Sequence, residues 1–82
     1  MNFDIETLNG LREVFRDVLG VEPEKINEKT TYETLKEWDS MKHLELIMGV
    51  ESKFSVEFMP HEVILLNSIE RLMSAIEKKR GK

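Results

Sequence analysis

Apolar residues recur at intervals of three and four in three separate stretches of the chain, which is the spacing of one face of an α-helix. The first stretch predicts a helix over about residues 4–19, with Asp4 as its N-cap and Gly20 as its stop. Gly10 weakens this prediction slightly, because glycine inside a helix costs about 1 kcal/mol against alanine. The second stretch predicts a helix over about residues 40–54.

The last part of the chain predicts a short helix followed by a longer one. Pro60 suits the first turn of the short helix, because proline is favoured at the first helical position. Asn67 and Ser68 are expected to cap the last helix, with Glu70 three residues after Asn67 as in a capping box. The apolar stripe of that helix is Ile69, Leu72, Met73 and Ile76. We therefore expect an all-α, antiparallel four-helix bundle with three main helices and one short helix.

Residues 21–37, between the first two predicted helices, lack helical spacing. Pro23 prevents the first helix from continuing, and residues 30–35 could hold a short turn of helix. A connection of this length is unusual in a compact domain. Its apolar residues predict a long first loop that packs onto the core: Val21, Ile26, Tyr32, Leu35 and, just beyond, Trp38.

Composition narrows the classes of function. The length of 82 residues predicts one domain over residues 1–82. With no cysteine and two histidines, neither a disulfide framework nor a metal site is predicted. The net charge of −4 argues against nucleic-acid binding and suits partners with basic surfaces. The acidic start, residues 1–6, is unlike a secretory signal, and no apolar run approaches a membrane span, so we expect a soluble, cytoplasmic monomer.

The start of the second predicted helix holds the candidate chemistry. Asp39 and Ser40 are both good N-cap residues, because their oxygens accept hydrogen bonds from the unpaired amides of a first helical turn. Ser40 would present its hydroxyl at the positive end of the helix dipole, where a phosphate is favourable. The dipeptide by itself indicates little more than a helix cap.

The residues after Ser40 closely resemble the second helix of the acyl carrier protein family, the phosphopantetheine-binding carrier domains. The similar positions are Met41, Leu44, Glu45, Leu46, Ile47, Met48, Val50, Glu51 and Phe54. The resemblance extends over essentially the whole chain, including the long first loop and the capped last helix. It implies that Ser40, in the motif Asp39-Ser40-Met41, receives 4′-phosphopantetheine from coenzyme A through a separate phosphopantetheinyl transferase. It also implies that the chain is a carrier and not an enzyme.

The second predicted helix has more apolar residues than one buried stripe requires. The set at core spacing is Leu46, Ile47, Val50 and Phe54. A second, offset set is Met41, Leu44 and Met48. This second set could also be core, or it could form a flexible docking patch beside Ser40. The resemblance favours docking for Met41 and Met48, leaves Leu44 open, and implies that Glu45 pairs with basic residues of partner enzymes.

The sequence departs from the carriers of fatty acid biosynthesis directly after the serine. Lys42 and His43 stand where those carriers usually have acidic or small polar residues. Trp38 and the Asp-Ser-Met motif look more like stand-alone carriers of specialised pathways. The cargo therefore stays open between acyl groups and the amino acids of nonribosomal peptide synthesis or D-alanyl transfer, with ligases, synthases or transferases as partners. An unmodified helical adaptor is the alternative from a different class.

His43 and Trp38 each allow two interpretations. Ser40, His43 and Asp39 could be imagined as a hydrolytic triad, but such a triad needs a buried, oriented base and an oxyanion hole. A surface histidine that tunes docking charge is favoured instead. Trp38 is expected to pack the loop onto the core rather than contact a partner. If the core yields to an acyl chain, the expected lining is Val50, Leu46, Ile64 and Ile69.

Overall fold

The computed structural model describes residues 4–80, and within them it contains helices and no β-strand. Its α-helices are α1 (Ile5–Leu19), α2 (Ser40–Phe54), α3 (Pro60–Val63) and α4 (Ile69–Lys79). The predicted all-α bundle is confirmed, and the first two helices have nearly the predicted bounds. Residues 1–3 of the acidic start and residues 81–82 lie outside the described residues. None of the helices in the described range is long and apolar enough to cross a membrane.

Both ends of α1 are set by local chemistry, as predicted. The Asp4 carboxylate accepts hydrogen bonds from the Glu6 amide at 3.1 Å and the Thr7 hydroxyl at 2.9 Å. Gly20 ends the helix in the left-handed region with a φ of 70°, a conformation that glycine adopts without steric cost. Local capping therefore sets the residues at which this helix begins and ends.

The cap of α4 differs by one residue from the predicted one. Ser68 is the N-cap, and its hydroxyl accepts a hydrogen bond from the Arg71 amide at 3.1 Å. The expected capping box of Asn67 and Glu70 is therefore wrong, because Arg71 occupies the third helical position instead of Glu70. Asn67 lies one residue before the cap and uses its carbonyl oxygen in a contact with the long loop.

The long loop is attached to the start of α4. Thr31 and Ser68 form an isolated antiparallel bridge, in which the Tyr32 amide donates to the Asn67 carbonyl oxygen at 2.8 Å. On the other side, Arg12 of α1 donates through Nε to the Ile26 carbonyl oxygen at 2.8 Å. A loop of this length is ordered because two helices bind its backbone.

The loop contains a short turn at the predicted place and a 3₁₀ turn before it. Residues 23–25 form the 3₁₀ turn, which begins with Pro23. At residues 31–35 the amides of Thr34 and Leu35 both donate to the Thr31 carbonyl oxygen at 3.1 Å, which is the short turn expected over residues 30–35, and it does not extend into a longer helix. The Thr31 amide donates to the Thr34 hydroxyl at 2.9 Å, so side chains satisfy backbone groups that a helix would otherwise use. The bridge to Ser68 also requires an extended backbone at Thr31.

The core lies between α1, α2, α4 and the loop. The loop contributes Val21, Ile26, Leu35 and Trp38, all buried, with Tyr32 packed half-buried against them, as predicted. The most enclosed side chains of the helices are Leu8, Leu11, Phe15, Leu46, Val50, Ile69, Leu72 and Ile76. The loop is therefore part of the hydrophobic core and holds Trp38, two residues before Ser40, in a fixed place.

Helices α1 and α2 approach each other closely at two glycines. A Cβ atom built on Gly10 would lie 2.6 Å from Cζ of Phe54, and one on Gly49 would lie 3.0 Å from Cγ1 of Val14. Gly10, which weakened the prediction of α1, is therefore the place where the Phe54 ring rests on the α1 backbone. This contact fixes the C-terminal end of α2 against α1.

Candidate functional site

Asp39 and Ser40 form the start of α2 and have different roles there. Asp39 is the N-cap, and its Oδ1 accepts a hydrogen bond from the Lys42 amide at 2.9 Å. Ser40 is the first helical residue and is exposed. Among residues 4–80 no group is hydrogen-bonded to its hydroxyl. The cap therefore depends on Asp39, and no hydrogen bond within the described residues uses the Ser40 hydroxyl.

The first turn of α2 leaves two backbone amides available beside that hydroxyl. The Lys42 amide binds Asp39 Oδ1, and the His43 amide donates to the Asp39 carbonyl oxygen at 2.8 Å. Within the described range, the amides of Ser40 and Met41 have no protein partner. Unpaired amides and the positive end of the helix dipole favour an anion. A phosphodiester on the Ser40 oxygen would fit this environment.

A groove of about 320 Å³, the Ser40 groove, opens beside the serine. Its lining residues are Tyr32, Ser40, His43, Leu44, Val63, Ile64 and Asn67. Of the four side chains expected to line an acyl shelter, Ile64 lies here and is 76% exposed. Leu46, Val50 and Ile69 do not line it, because they point into the core and are completely buried. The groove lies between α2 and α3 and not inside the bundle.

His43 is half-buried, and both of its ring nitrogens are hydrogen-bonded. Nδ1 lies 2.9 Å from the Nε1 of Trp38, and Nε2 lies 2.8 Å from the carbonyl oxygen of Val63. An indole N–H can only donate and a carbonyl oxygen can only accept, so both bonds require a neutral ring with its proton on Nε2. The expected surface histidine is therefore wrong, because His43 connects the loop before Ser40 to the end of α3.

A hydrolytic triad of Ser40, His43 and Asp39 is not formed. The nitrogens of His43 are engaged by Trp38 and Val63, and the carboxylate of Asp39 caps α2. No ring nitrogen is left to accept a proton from the serine. Residues 4–80 also hold no group of three or more histidine, aspartate or glutamate side chains that could bind a metal ion.

Trp38 packs the loop onto the core, as predicted. It is 1% exposed, meets Phe15 edge-on with ring centroids 5.0 Å apart, and lies at 27° to the plane of the His43 ring with centroids 5.9 Å apart. The sequence contained a signal for its bond to His43, which our prediction missed. A buried indole N–H needs an acceptor, and His43 lies one helical turn into the helix that follows Trp38.

The offset apolar set of α2, here called the α2 patch, consists of Met41, Leu44 and Met48. These side chains are 83%, 61% and 66% exposed, so they do not belong to the core. Glu45 is exposed beside them, with its Oε1 3.7 Å from the Lys42 ammonium. The set at core spacing is buried at Leu46, Ile47 and Val50 and half-buried at Phe54.

The short helix α3 is bound to α4 through Glu62. The Glu62 Oε1 accepts a hydrogen bond from the Met59 amide at 2.6 Å and lies 2.9 Å from the Lys79 ammonium. The bond from the Met59 amide, and then the contact with Lys79, hold the pKa of Glu62 below its usual range. The ionised carboxylate therefore stabilises one side of α3.

Comparison with known proteins finds a family that matches most of the chain. Residues 9–76 match the family described as "Phosphopantetheine attachment site". The acyl carrier protein of Solidesulfovibrio magneticus is 31% identical over 71 residues, which cover 87% of this chain and 91% of that protein. That of Thermosynechococcus vestitus is 30% identical over 74 residues, 90% of this chain and 91% of the relative. The acyl carrier protein of Akkermansia muciniphila is 31% identical over 71 residues, which cover 87% of this chain and 89% of that protein.

Proposed function

The chain belongs to the acyl carrier protein family, and we propose that its phosphopantetheine group is attached at Ser40. As a member of this family it is a carrier that works with modifying and biosynthetic enzymes, and it is not itself an enzyme. The observation that supports Ser40 most strongly is its exposed hydroxyl, which has no hydrogen bond within residues 4–80, at the N-terminal end of α2. Because Asp39 caps the helix, the hydroxyl can be modified without cost to the fold.

The proposed modification needs no catalytic base on the carrier. The Ser40 oxygen attacks the pantetheine-bearing phosphorus of coenzyme A, and the bond between the two phosphates breaks. Adenosine 3′,5′-bisphosphate leaves, and the hydroxyl proton passes to the phosphopantetheinyl transferase. The amides of Ser40 and Met41, which have no partner among the described residues, would be available to stabilise the negative charge of the phosphodiester. The bound arm supplies a terminal thiol that holds an acyl group as a thioester.

The α2 patch is proposed as the surface on which partner enzymes dock. Its two methionines are flexible and polarizable, which suits a surface that several enzymes must bind in turn. Glu45 offers a carboxylate to a basic partner residue, but Lys42 lies 3.7 Å away and offsets part of its charge. Exposed ion pairs contribute little, so apolar contact supplies most of the docking energy.

The proposed cargo is an acyl intermediate. A ligase, synthase or transferase would load it, and the carrier would then deliver it to biosynthetic enzymes. Leu44, Val63 and Ile64 give the Ser40 groove an apolar wall that suits a short acyl chain. Tyr32 and Asn67 line the same groove, and their polar groups favour the alternative of an aminoacyl or D-alanyl cargo. Identifying which activating enzyme loads the modified protein distinguishes these cargoes.

The first experiment measures the intact mass after incubation with coenzyme A and a broad-specificity phosphopantetheinyl transferase. Wild type should gain one phosphopantetheine, whereas Ser40→Ala should gain none. Ser52→Ala is the matched control, because Ser52 is a second exposed serine on α2, and it should be modified like wild type. Ser40→Ala should unfold within about 0.5 kcal/mol of wild type, since its hydroxyl caps nothing.

The alternative from a different class, an unmodified helical adaptor, predicts another result. Folded wild type would then gain no mass with this transferase or with a second one, and Ser40→Ala would retain full function. Modification of Ser40→Ala would contradict the proposed attachment site while leaving the family assignment intact.

A further inference from the structure

Helix α3 is too short to keep its position by itself. It has four residues, and an isolated helix of one turn is unstable in water. Side-chain contacts hold it from two sides: Glu62 to Lys79 of α4, and the Val63 carbonyl oxygen to His43 of α2. The second contact is the one that faces the Ser40 groove, because both His43 and Val63 line it.

Trp38 determines which nitrogen of His43 is available to α3. Its buried indole N–H points at Nδ1, so that nitrogen must be the acceptor. The proton is therefore on Nε2, which faces the Val63 carbonyl oxygen. One ring thus connects the loop residue two positions before Ser40, the first turn of α2 and the end of α3. The reverse tautomer would lose both bonds.

We propose that His43 is a positioning residue that fixes α3 against α2 and so keeps the Ser40 groove narrow enough to shield a bound cargo. The walls of the groove come from α2, at Ser40 and Leu44, and from the α3 side, at Val63 and Ile64. Loss of the hydrogen bond to Val63 loosens α3 on the side that faces α2, while the Glu62–Lys79 ion pair and the packing of Val63 against the core still hold it elsewhere. The shielding of cargo rests on the proposed function of Ser40, whereas the positioning of α3 does not.

Two variants that both carry a side-chain amide, His43→Gln and His43→Asn, distinguish the positioning of α3 from simple packing. In His43→Gln, the amide reaches about as far as the distal ring nitrogen and can donate to the Val63 carbonyl oxygen. In His43→Asn, the shorter amide can accept from Trp38 but does not reach α3. If His43 acted only by packing, both variants would change the amide exchange of α3 and the cleavage of a bound thioester, each in proportion to its loss of stability.

The first measurement uses the unmodified protein. Amide hydrogen exchange over residues 61–66 should be about fivefold faster than wild type in His43→Asn, the effect of losing one hydrogen bond, and close to wild type in His43→Gln. Fluorescence of Trp38, the single tryptophan of the chain, should change more in His43→Gln than in His43→Asn. Equal exchange in wild type and His43→Asn would overturn the positioning role.

The second measurement uses protein loaded with a butyryl group from butyryl-coenzyme A by the transferase. Hydroxylamine should cleave the thioester several-fold faster in His43→Asn than in wild type, and at a near wild-type rate in His43→Gln. Equal cleavage rates in all three proteins would overturn the shielding role. If no protein accepts the butyryl arm, the attachment site is wrong, and exchange in the unmodified protein still decides whether His43 positions α3.

Discussion

Asp39 and Ser40 are adjacent, but only Asp39 caps α2, so the Ser40 hydroxyl is not needed for the helix. The carboxylate of Asp39 binds the Lys42 amide and satisfies the helix, while the hydroxyl of Ser40 makes no hydrogen bond within residues 4–80. If the serine were the cap, attachment of a group to its oxygen would weaken the helix start by about 1 kcal/mol. Because Asp39 and not Ser40 caps the helix, the proposed attachment at Ser40 would leave the hydrogen bond that starts α2 intact.

The docking role proposed for the α2 patch can be tested by replacing residues of the patch. Replacing Met41 and Met48 together by serine should lower kcat/KM of the phosphopantetheinyl transferase about tenfold, mainly through KM, because exposed apolar contacts with the partner are lost. Ile5→Ser is the control, since Ile5 is also an exposed apolar residue but lies at the start of α1. Unchanged kinetics in the double variant would exclude these methionines from the interface.

Single-residue roles were predictable from sequence only where their partners are local. Asp39 as a cap and Trp38 as a packing residue follow from a helix start and an apolar loop. His43 was mistaken for a surface residue because its second partner, the Val63 carbonyl oxygen, is 20 positions away. Helical spacing gives the face on which a side chain lies but does not show which other element covers that face.

At the scale of elements, α3 depends on a charged group, and this predicts a pH dependence. The pKa of Glu62 is lowered in the folded protein, so its contribution to stability is complete above the ordinary pKa of glutamate. As the pH falls through the lowered pKa, the carboxylate is protonated, its bonds to the Met59 amide and Lys79 weaken, and the stabilisation is lost.

The pH dependence of α3 can be followed by the chemical shift of the Met59 amide in an acid titration. The shift should change as Glu62 is protonated, at a pH below the usual range of glutamate. Glu62→Gln should abolish this transition, whereas Glu45→Gln, on the exposed surface of α2, should leave it intact. A transition that persists in Glu62→Gln would assign the change to another group.

Elements that end through local capping were predicted closely, and elements that depend on distant pairing were not. The bounds of α1 and α2 follow from Asp4, Gly20 and Asp39 together with apolar spacing. The short turn expected over residues 30–35 forms at residues 31–35, but it does not extend into a helix because the backbone at Thr31 pairs with Ser68, far along the chain. No pattern within the loop indicates that pairing.

At the scale of the whole molecule, the crossing of α1 and α2 depends on the missing side chain of Gly10. Gly10→Ala should raise helix propensity by about 1 kcal/mol, yet the new Cβ would lie 2.6 Å from Cζ of Phe54. Because the clash forces the ring to move, we expect a net loss of about 1 kcal/mol in the free energy of unfolding. Chemical denaturation measures this loss.

A double-mutant cycle identifies the cause of that loss. Phe54→Leu should destabilise wild type but cost less in the Gly10→Ala background, because the shorter side chain leaves room for the new methyl group. Additive effects of the two substitutions would show that the ring and the glycine are not coupled. Sequence alone gave the bundle and the packed loop, but it did not reveal this close approach, which depends on how two helices cross.

The bridge between Thr31 and Ser68 is also expected to affect the kinetics of folding and unfolding. It joins segments that are far apart in the sequence, with α2 and α3 between them, so we expect it to close late in folding, after the transition state. Interactions that form after the transition state affect the rate of unfolding and leave the rate of folding nearly unchanged. We therefore expect the bridge to lengthen the lifetime of the folded carrier without changing the rate at which it folds.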